Sequence, residues 1–310
     1  MSTHWRFVFL SQKDKRRFFK RDPDSARENL EDALELLSAG NKKIKRIQAL
    51  VRSAKDRREE GVYIAEGVRM YKEAPKKYLK EVYLTPEMLK EVGEPKVPYY
   101  AVSDEVFSKI SDTKTPQGVL CVLERRKMGL TEVIEVPSDK STEESLDKNS
   151  GKNTDKNAGK APLILLLENI QDPGNLGTIL RVGEAAGVTG IVMSRGCVDI
   201  YNPKVIRSTM GSVYRMKFTV CDDILEAVKR IKEKGIITYA AHLHGSLGFT
   251  EYDYTKPTCF FIGNEGNGLS EEITAMADKR LLIPMEGSVE SLNAGIAAAV
   301  LSYEAHRQRF

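Results

Sequence analysis

Three stretches of the chain carry residue types and spacings that could do chemistry. The first is Glu168-Asn-Ile-Gln-Asp-Pro-Gly-Asn-Leu-Gly-Thr-Ile-Leu-Arg181. Asp172-Pro173-Gly174 is a turn signal, and Asn175 is expected near a helix N-cap. Arg181 then falls about two turns into that helix, at ~3.6 residues per turn. There it can face solvent, pair with a carboxylate or reach a phosphate.

The second stretch is Phe260-Phe-Ile-Gly-Asn-Glu-Gly-Asn-Gly-Leu-Ser270. Glycines at 263, 266 and 268 allow unusual backbone angles and close approach of a ligand to the main chain. The spacing is not that of a G-x-G-x-x-G dinucleotide fingerprint, which argues against a Rossmann-type oxidoreductase. Glu265 would repel an anion, so the loop suits a cationic or hydroxyl-bearing partner better than a phosphate. A plain glycine turn with a solvated Glu265 is the competing reading.

The third runs from Ile283-Pro284 through Ser291-Leu292-Asn293 into Ala294, Gly295, Ala297, Ala298 and Ala299. Ser291 is expected to cap the last helix, whose small residues allow close packing. His242 and His244 are the histidines a general base would call for. Neither lies in these stretches, and a pocket-wall or solvent role is expected for both.

Elements must hold these stretches together. Six apolar segments read as strands: Leu163–Leu167, Gly190–Met193, Met216–Val220, Ile236–Ala241, Cys259–Ile262 and Arg280–Ile283. Helical segments separate most of them, which implies an α/β domain with a parallel sheet covered on both faces. Ligands in such sheets bind beyond the carboxyl ends of strands, where all three stretches lie.

Upstream, a smaller α/β domain is expected. A helix is read at 43–58 from Ile44, Ile47, Leu50, Val51 and Ala54. Strands at Val62–Ala65, Lys80–Leu84, Tyr99–Val102 and Gly118–Leu123 alternate with helices after Gly67, at Pro86–Val92 and at Asp104–Ile110. Residues 137–161 contain one large apolar side chain, Leu146. Such a segment cannot offset the entropy of ordering, so it reads as a tether or insertion. The expected division is a basic arm at 1–40, a smaller α/β domain at 41–128, a linker at 129–161 and the larger α/β domain, which carries all three stretches, at 162–310.

The net charge is only +4, but cations cluster at Lys13, Lys15, Arg16, Arg17, Lys20 and Arg21, and again between Lys42 and Arg58. Clustered cations can contact phosphates or form a solvated helix face. No apolar run approaches the ~20 residues needed to span a bilayer. The four cysteines, Cys121, Cys197, Cys221 and Cys259, form no CxxC pair. Neither a zinc site nor a redox motif is indicated, and free thiols in a reducing cytoplasm fit best.

The three stretches, in order and spacing, resemble the three motifs of the SpoU/TrmH family of SPOUT-class RNA methyltransferases. Asn175, Gly177 and Arg181 match N-x-G-x-x-x-R. Gly263, Glu265 and Gly268 match G-x-E-x-x-G. Ser291 and Asn293, after Ile283-Pro284, match the third. Asn202 to Gly211 is similar to the family's segment between its first two motifs. Tyr63–Gly67 and Ser111–Gly118 resemble its ribosomal-protein-like RNA-binding module. The arm and the insertion lie outside the resemblance.

The resemblance implies a trefoil-knotted catalytic domain, a homodimer packed through the last helix, and S-adenosylmethionine as cofactor. It implies cofactor contacts at Ala241, His242, Leu243, Gly263, Asn264, Gly268, Ile283 and Leu292, with no metal. It implies attack of a ribose 2′-oxygen on the sulfonium methyl, with Arg181 activating or positioning the ribose and Asn175, Glu265, Ser291 and Asn293 orienting both. Ribosomal RNA is the expected target ahead of transfer RNA, on architecture alone. A base methyltransferase and a catalytically silent RNA-binding protein are the alternatives.

Overall fold

A computed structural model describes residues 36–135, 161–242, 247–288 and 291–310. The basic clusters of residues 1–35, the segment 136–160, Leu243 and His244 lie outside the described residues.

The first domain opens with α1 (Lys42–Arg52) and α2 (Ala54–Glu59) rather than one helix. Ser53 breaks the run. Its backbone is extended at φ −113° and ψ 116°, and its side chain accepts from the Asp56 amide. A serine hydroxyl offers the backbone an alternative to continuing the helix. There follow β1 (Val62–Glu66), α3 (Val68–Glu73), β2 (Leu79–Leu84), α4 (Pro86–Val92), β3 (Tyr99–Ala101), α5 (Asp104–Ile110) and β4 (Val119–Glu124). The strands form a sheet in the order β1-β4-β2-β3. Leu37 and Ala39, assigned to the arm, pack against this domain's core.

Helix α6 (Leu130–Ile134) falls inside the expected linker, yet Val133 and Ile134 are buried in the second domain's core. Packing of the second domain therefore begins before the 137–161 segment, because two buried apolar side chains suffice to seat one turn. The second domain continues as β5 (Leu163–Leu167), α7 (Pro173–Ala186), β6 (Gly190–Ser194), α8 (Pro203–Ser208), β7 (Phe218–Cys221), α9 (Ile224–Glu233), β8 (Ile237–Ala241), β9 (Leu247–Gly248), β10 (Thr258–Ile262), α10 (Glu271–Met276), β11 (Lys279–Leu282) and α11 (Ala294–Arg309). Its sheet is ordered β7-β6-β5-β10-β8-β11-β9, and every pairing is parallel. The two-residue β9 was not legible as a strand.

Strand β5 shows why both faces are covered. Leu163, Leu165 and Leu167 enter one core cluster while Ile164 and Leu166 enter another, as alternation along a strand dictates. The first cluster also takes in Tyr63, Ala65, Met70, Cys121 and Leu123, so the two domains share a core. Arg57, only 2% exposed, closes the seam by donating to Asp199 at 2.8 Å. The chain leaves β5 toward β6 on one side, while β10 flanks it on the other. This reversal of order opens a crevice at the carboxyl ends of β5 and β10.

Candidate active site

Two loops meet in that crevice and are stitched together by side chains. Asp172 caps α7 by accepting from the Asn175 amide at 2.8 Å, with Pro173 at the first helical position. Asn175 is thus inside the first turn, near the cap as expected, with Asp172 as the cap itself. That frees its side chain to point away from the helix.

Asn175 Nδ2 donates to Glu265 Oε1 at 2.8 Å, and Asn293 Nδ2 donates to Asn175 Oδ1 at 2.8 Å. The Glu265 carboxylate also accepts the amides of Gln171 and Asp172, each at 3.3 Å. It therefore sits at the positive end of the α7 dipole. Burial pushes its pKa up, but the bonds from Asn175 and the loop amides outweigh this and hold it below the ordinary value.

The glycine loop is braced from within. Asn264 and Gly268 exchange backbone hydrogen bonds at 2.9 Å, with Gly268 at φ +68°. The Asn264 side chain accepts from Gly266 and donates to the Asn169 carbonyl at 2.7 Å. Buried Glu168 accepts the Ser270 amide at 2.8 Å. At Gly263 a Cβ would collide with the backbone of Gly268 and Leu269, so only glycine fits.

The third segment departs from expectation at its cap. Asn293, not Ser291, is the N-cap of α11, accepting from Gly295 and Ile296 at 2.9 and 3.3 Å. The helix starts at Ala294, too late for Ser291 to reach its first amides. One amide side chain thus caps α11 through its oxygen and binds Asn175 through its nitrogen.

Beside this chain lies a cavity of about 290 Å³, at the lower end of the ~300–1,000 Å³ of ordinary ligand pockets. It is lined by Ala241, His242, Gly263, Asn264, Gly268, Ile283 and Leu292, seven of the eight residues named for the cofactor; Leu243 is outside the described residues. Glu265 and Ser291 also line it. Met285, Ala294 and Ala297 join the wall although no motif marked them. The spacing of the two alanines, three apart on a helix, was the available signal.

Arg181 stands apart from the group expected to hold it. It is exposed and, among the described residues, has no hydrogen bond or ion pair. Thr178, three residues earlier on α7, lies within 3.4 Å of where a Gly295 Cβ would stand. Arg181 therefore follows one turn along the side of α7 that faces α11. Among the described residues, no group of three His, Cys, Asp or Glu side chains could hold a metal, and no helix is long and apolar enough to cross a membrane.

Comparison with known proteins fits this geometry. The SpoU rRNA Methylase family model matches residues 162–303, and an MRM3-like substrate binding domain model matches residues 41–121. The chain is 29% identical to the Bacillus subtilis 23S rRNA (guanosine(2553)-2'-O)-methyltransferase RlmP, over 86% of its own length and 96% of the relative's. It is 43% identical to the Thermus thermophilus tRNA (guanosine(18)-2'-O)-methyltransferase, over 47% of its own length and 75% of the relative's. The crystal structure of the SpoU methyltransferase AviRb from Streptomyces viridochromogenes, in complex with AdoMet, superposes with a TM-score of 0.70. It is 26% identical, over 87% of this chain and 99% of that one.

Proposed function

The chain belongs to the SpoU rRNA methylase family, and from that premise we propose how its residues perform the family's reaction and on which RNA. It is an S-adenosylmethionine-dependent methyltransferase acting on a ribose 2′-hydroxyl of RNA. When bound, the cofactor supplies a sulfonium-activated methyl group.

The cavity fits such a group. Its wall at Gly263 is bare backbone, its floor is small and apolar at Ala241, Ala294 and Ala297, and among the described residues no Lys or Arg lines it. A positively charged sulfonium is tolerated there, with the ionised Glu265 nearby. Gly263, Asn264, Gly268, Ile283, Leu292, Ala241, His242 and Leu243 would hold the cofactor. Asn175, Glu265 and Asn293 fix the rim against which the ribose must lie. Ser291, on the same wall, is placed to hydrogen-bond the ribose.

Arg181 orients the ribose through its adjoining phosphate and stabilises charge developing on the 2′-oxygen. It does not act as a base, since guanidinium stays protonated in proteins. The observation that carries the reading is the unbroken Asn293–Asn175–Glu265 chain on the edge of the cavity. Incubation with methyl-labelled cofactor and total RNA, then nucleoside digestion, tests it. Label in 2′-O-methyl nucleosides is expected; label in bases would overturn it.

Ribosomal RNA is the preferred target. The 23S relative aligns over 86% of this chain, including a substrate-binding part, whereas the transfer RNA relative aligns over 47%. Label confined to transfer RNA would reverse this.

A homodimer through α11 and a trefoil knot complete the reading. Ile296 and Tyr303 of α11 and Phe310 just past its end stay exposed at seven-residue spacing, an apolar face that a second copy would cover. After β11 the chain returns across the sheet to pack α11 on α7, β5 and β10, as a threaded path would require. Y303E should shift sedimentation to the monomer. A cytoplasmic location is supported by the free thiols of Cys121 and Cys259 and is checked by cell fractionation.

A further inference from the structure

We propose that the seam between the two domains is a track for the RNA phosphodiester backbone next to the methylated ribose, formed by Lys204 and Arg207 of α8 and Lys114 of the 111–117 loop. The inference rests on RNA being the substrate and says where its backbone runs.

Helix α8 is tied to the site. A Cβ at Gly177 of α7 would overlap Ser208 Oγ, so the two helices touch there. Ser208 Oγ also reaches toward the Pro173 carbonyl at 3.4 Å, two residues before Asn175. Lys204 and Arg207, three apart, share the exposed face of α8. Arg207, next to Ser208, therefore projects into solvent beside the end of α7 that carries Asn175.

The same arginine reaches across to the other domain. Its guanidinium lies 3.4 Å from the Asp112 carbonyl and 3.7 Å from the Asp112 carboxylate. Both contacts are long and exposed, so a phosphate could displace them at little cost. The 111–117 loop is built rather than loose. Glu66 accepts from Ser111 Oγ at 2.6 Å, Thr113 Oγ1 at 2.9 Å and the Asp112 amide at 3.2 Å. Gln117 Oε1 accepts from the Val68 amide at 2.9 Å. Lys114 projects from this loop, and among the described residues neither it nor Lys204 pairs with an acid. The shared core fixes the two walls relative to each other, and the Arg207–Asp112 contact brings α8 against the loop that carries Lys114. Clustered cations on rigid elements are what a phosphate backbone recognises.

Binding of the full chain to deproteinised 23S ribosomal RNA, measured by filter retention over a series of salt concentrations, tests the track. R207A and the K114A/K204A pair are each expected to weaken binding about 3- to 10-fold and to flatten the salt dependence by about one ion per cation removed. Cofactor affinity should not change, and K229A on α9 should behave as wild type. D112N should bind RNA as well as wild type or better, because it removes a negative charge from the track. K114A/K204A at the wild-type slope overturns the inference, as does D112N weakening RNA binding as R207A does. The second result would mean that Arg207 merely holds the seam. Either failure would leave methyl transfer by the wild-type protein intact, whereas absence of methyl transfer would strike the parent reading instead.

Discussion

Asn175 joins Glu265 to Asn293, giving a hydrogen bond to the first and receiving one from the second, each at 2.8 Å. Three segments distant in sequence are tied by one side chain with a donor and an acceptor on the same carbon. Aspartate has nearly the same shape but cannot donate to a carboxylate when ionised. N175D would place two negative charges within hydrogen-bond distance. It should lose more methyl transfer than N175A and unfold at lower urea. N175A itself should cost about 1–3 kcal/mol through the partners it strands. Wild-type stability and activity in N175D would show that the chain of bonds is incidental.

Glu265 should make stability fall in acid. Its pKa in the folded protein is depressed despite burial, so its contribution is fully present above the unfolded value of about 4.3. That contribution is lost as pH falls through the lower folded value. The stability gap between wild type and E265Q should therefore be widest near neutrality and close below about pH 4. Urea midpoints across pH would show it. A gap that widened in acid would contradict the assignment. The same depression keeps Glu265 ionised at neutral pH, already accepting three hydrogen bonds, so it should leave no inflection near pH 6–7 in the methyl-transfer rate.

Gly263 and Gly266 should respond oppositely to alanine. At 263 the new methyl would run into loop backbone, which cannot yield locally. At 266 its nearest neighbour would be Asn264 Oδ1 at 3.5 Å, an ordinary contact. G263A should lose cofactor binding by titration calorimetry while G266A keeps it. Equal affinities would mean that the loop does not shape the pocket.

Asp199 should hold the domains together. Arg57 is buried against it and also donates to the carbonyls of Leu50 and Val51 at 2.8 and 3.2 Å. Removing one partner of a buried pair leaves the other charge stranded, at a cost of about 3–5 kcal/mol. D199A should lower the thermal midpoint sharply, and an unchanged midpoint would show that the shared apolar core alone sets the seam.

Most of this architecture was legible because hydrophobic alternation is a local property. Leu163–Leu167 could only be a buried strand, and the glycine spacing at 263–268 excluded a dinucleotide loop. What escaped depended on partners far along the chain. Ser291 and Asn293 are both plausible caps by type, and only the position of α11 decides between them. The break at Ser53 hides inside a good helical period, since one hydroxyl diverts it. Asn175 could be read only as near the cap, because the cap itself, Asp172 ahead of Pro173, was not separable from it by residue type. The arginine was recognisable by motif, but its lack of partners could not be read from spacing.

That lack of partners makes Arg181 the sharpest test of mechanism. A side chain exposed on α7, with no hydrogen bond or ion pair among the described residues, contributes little to folding. R181A and R181K should unfold within about 0.5 kcal/mol of wild type, as surface substitutions do. Neither touches the cavity wall, so cofactor affinity should also hold. Methyl transfer should nevertheless fall by about 10²–10³-fold in R181A, the usual loss when a donor aimed at developing charge is removed. R181K should recover little, because a point charge cannot reproduce a planar fork on a phosphate. His242 gives the contrast, since it lines the cavity and could be mistaken for a base. H242A should change cofactor affinity more than turnover. Near-normal turnover in R181A together with its loss in H242A would move the chemistry from the arginine to the histidine.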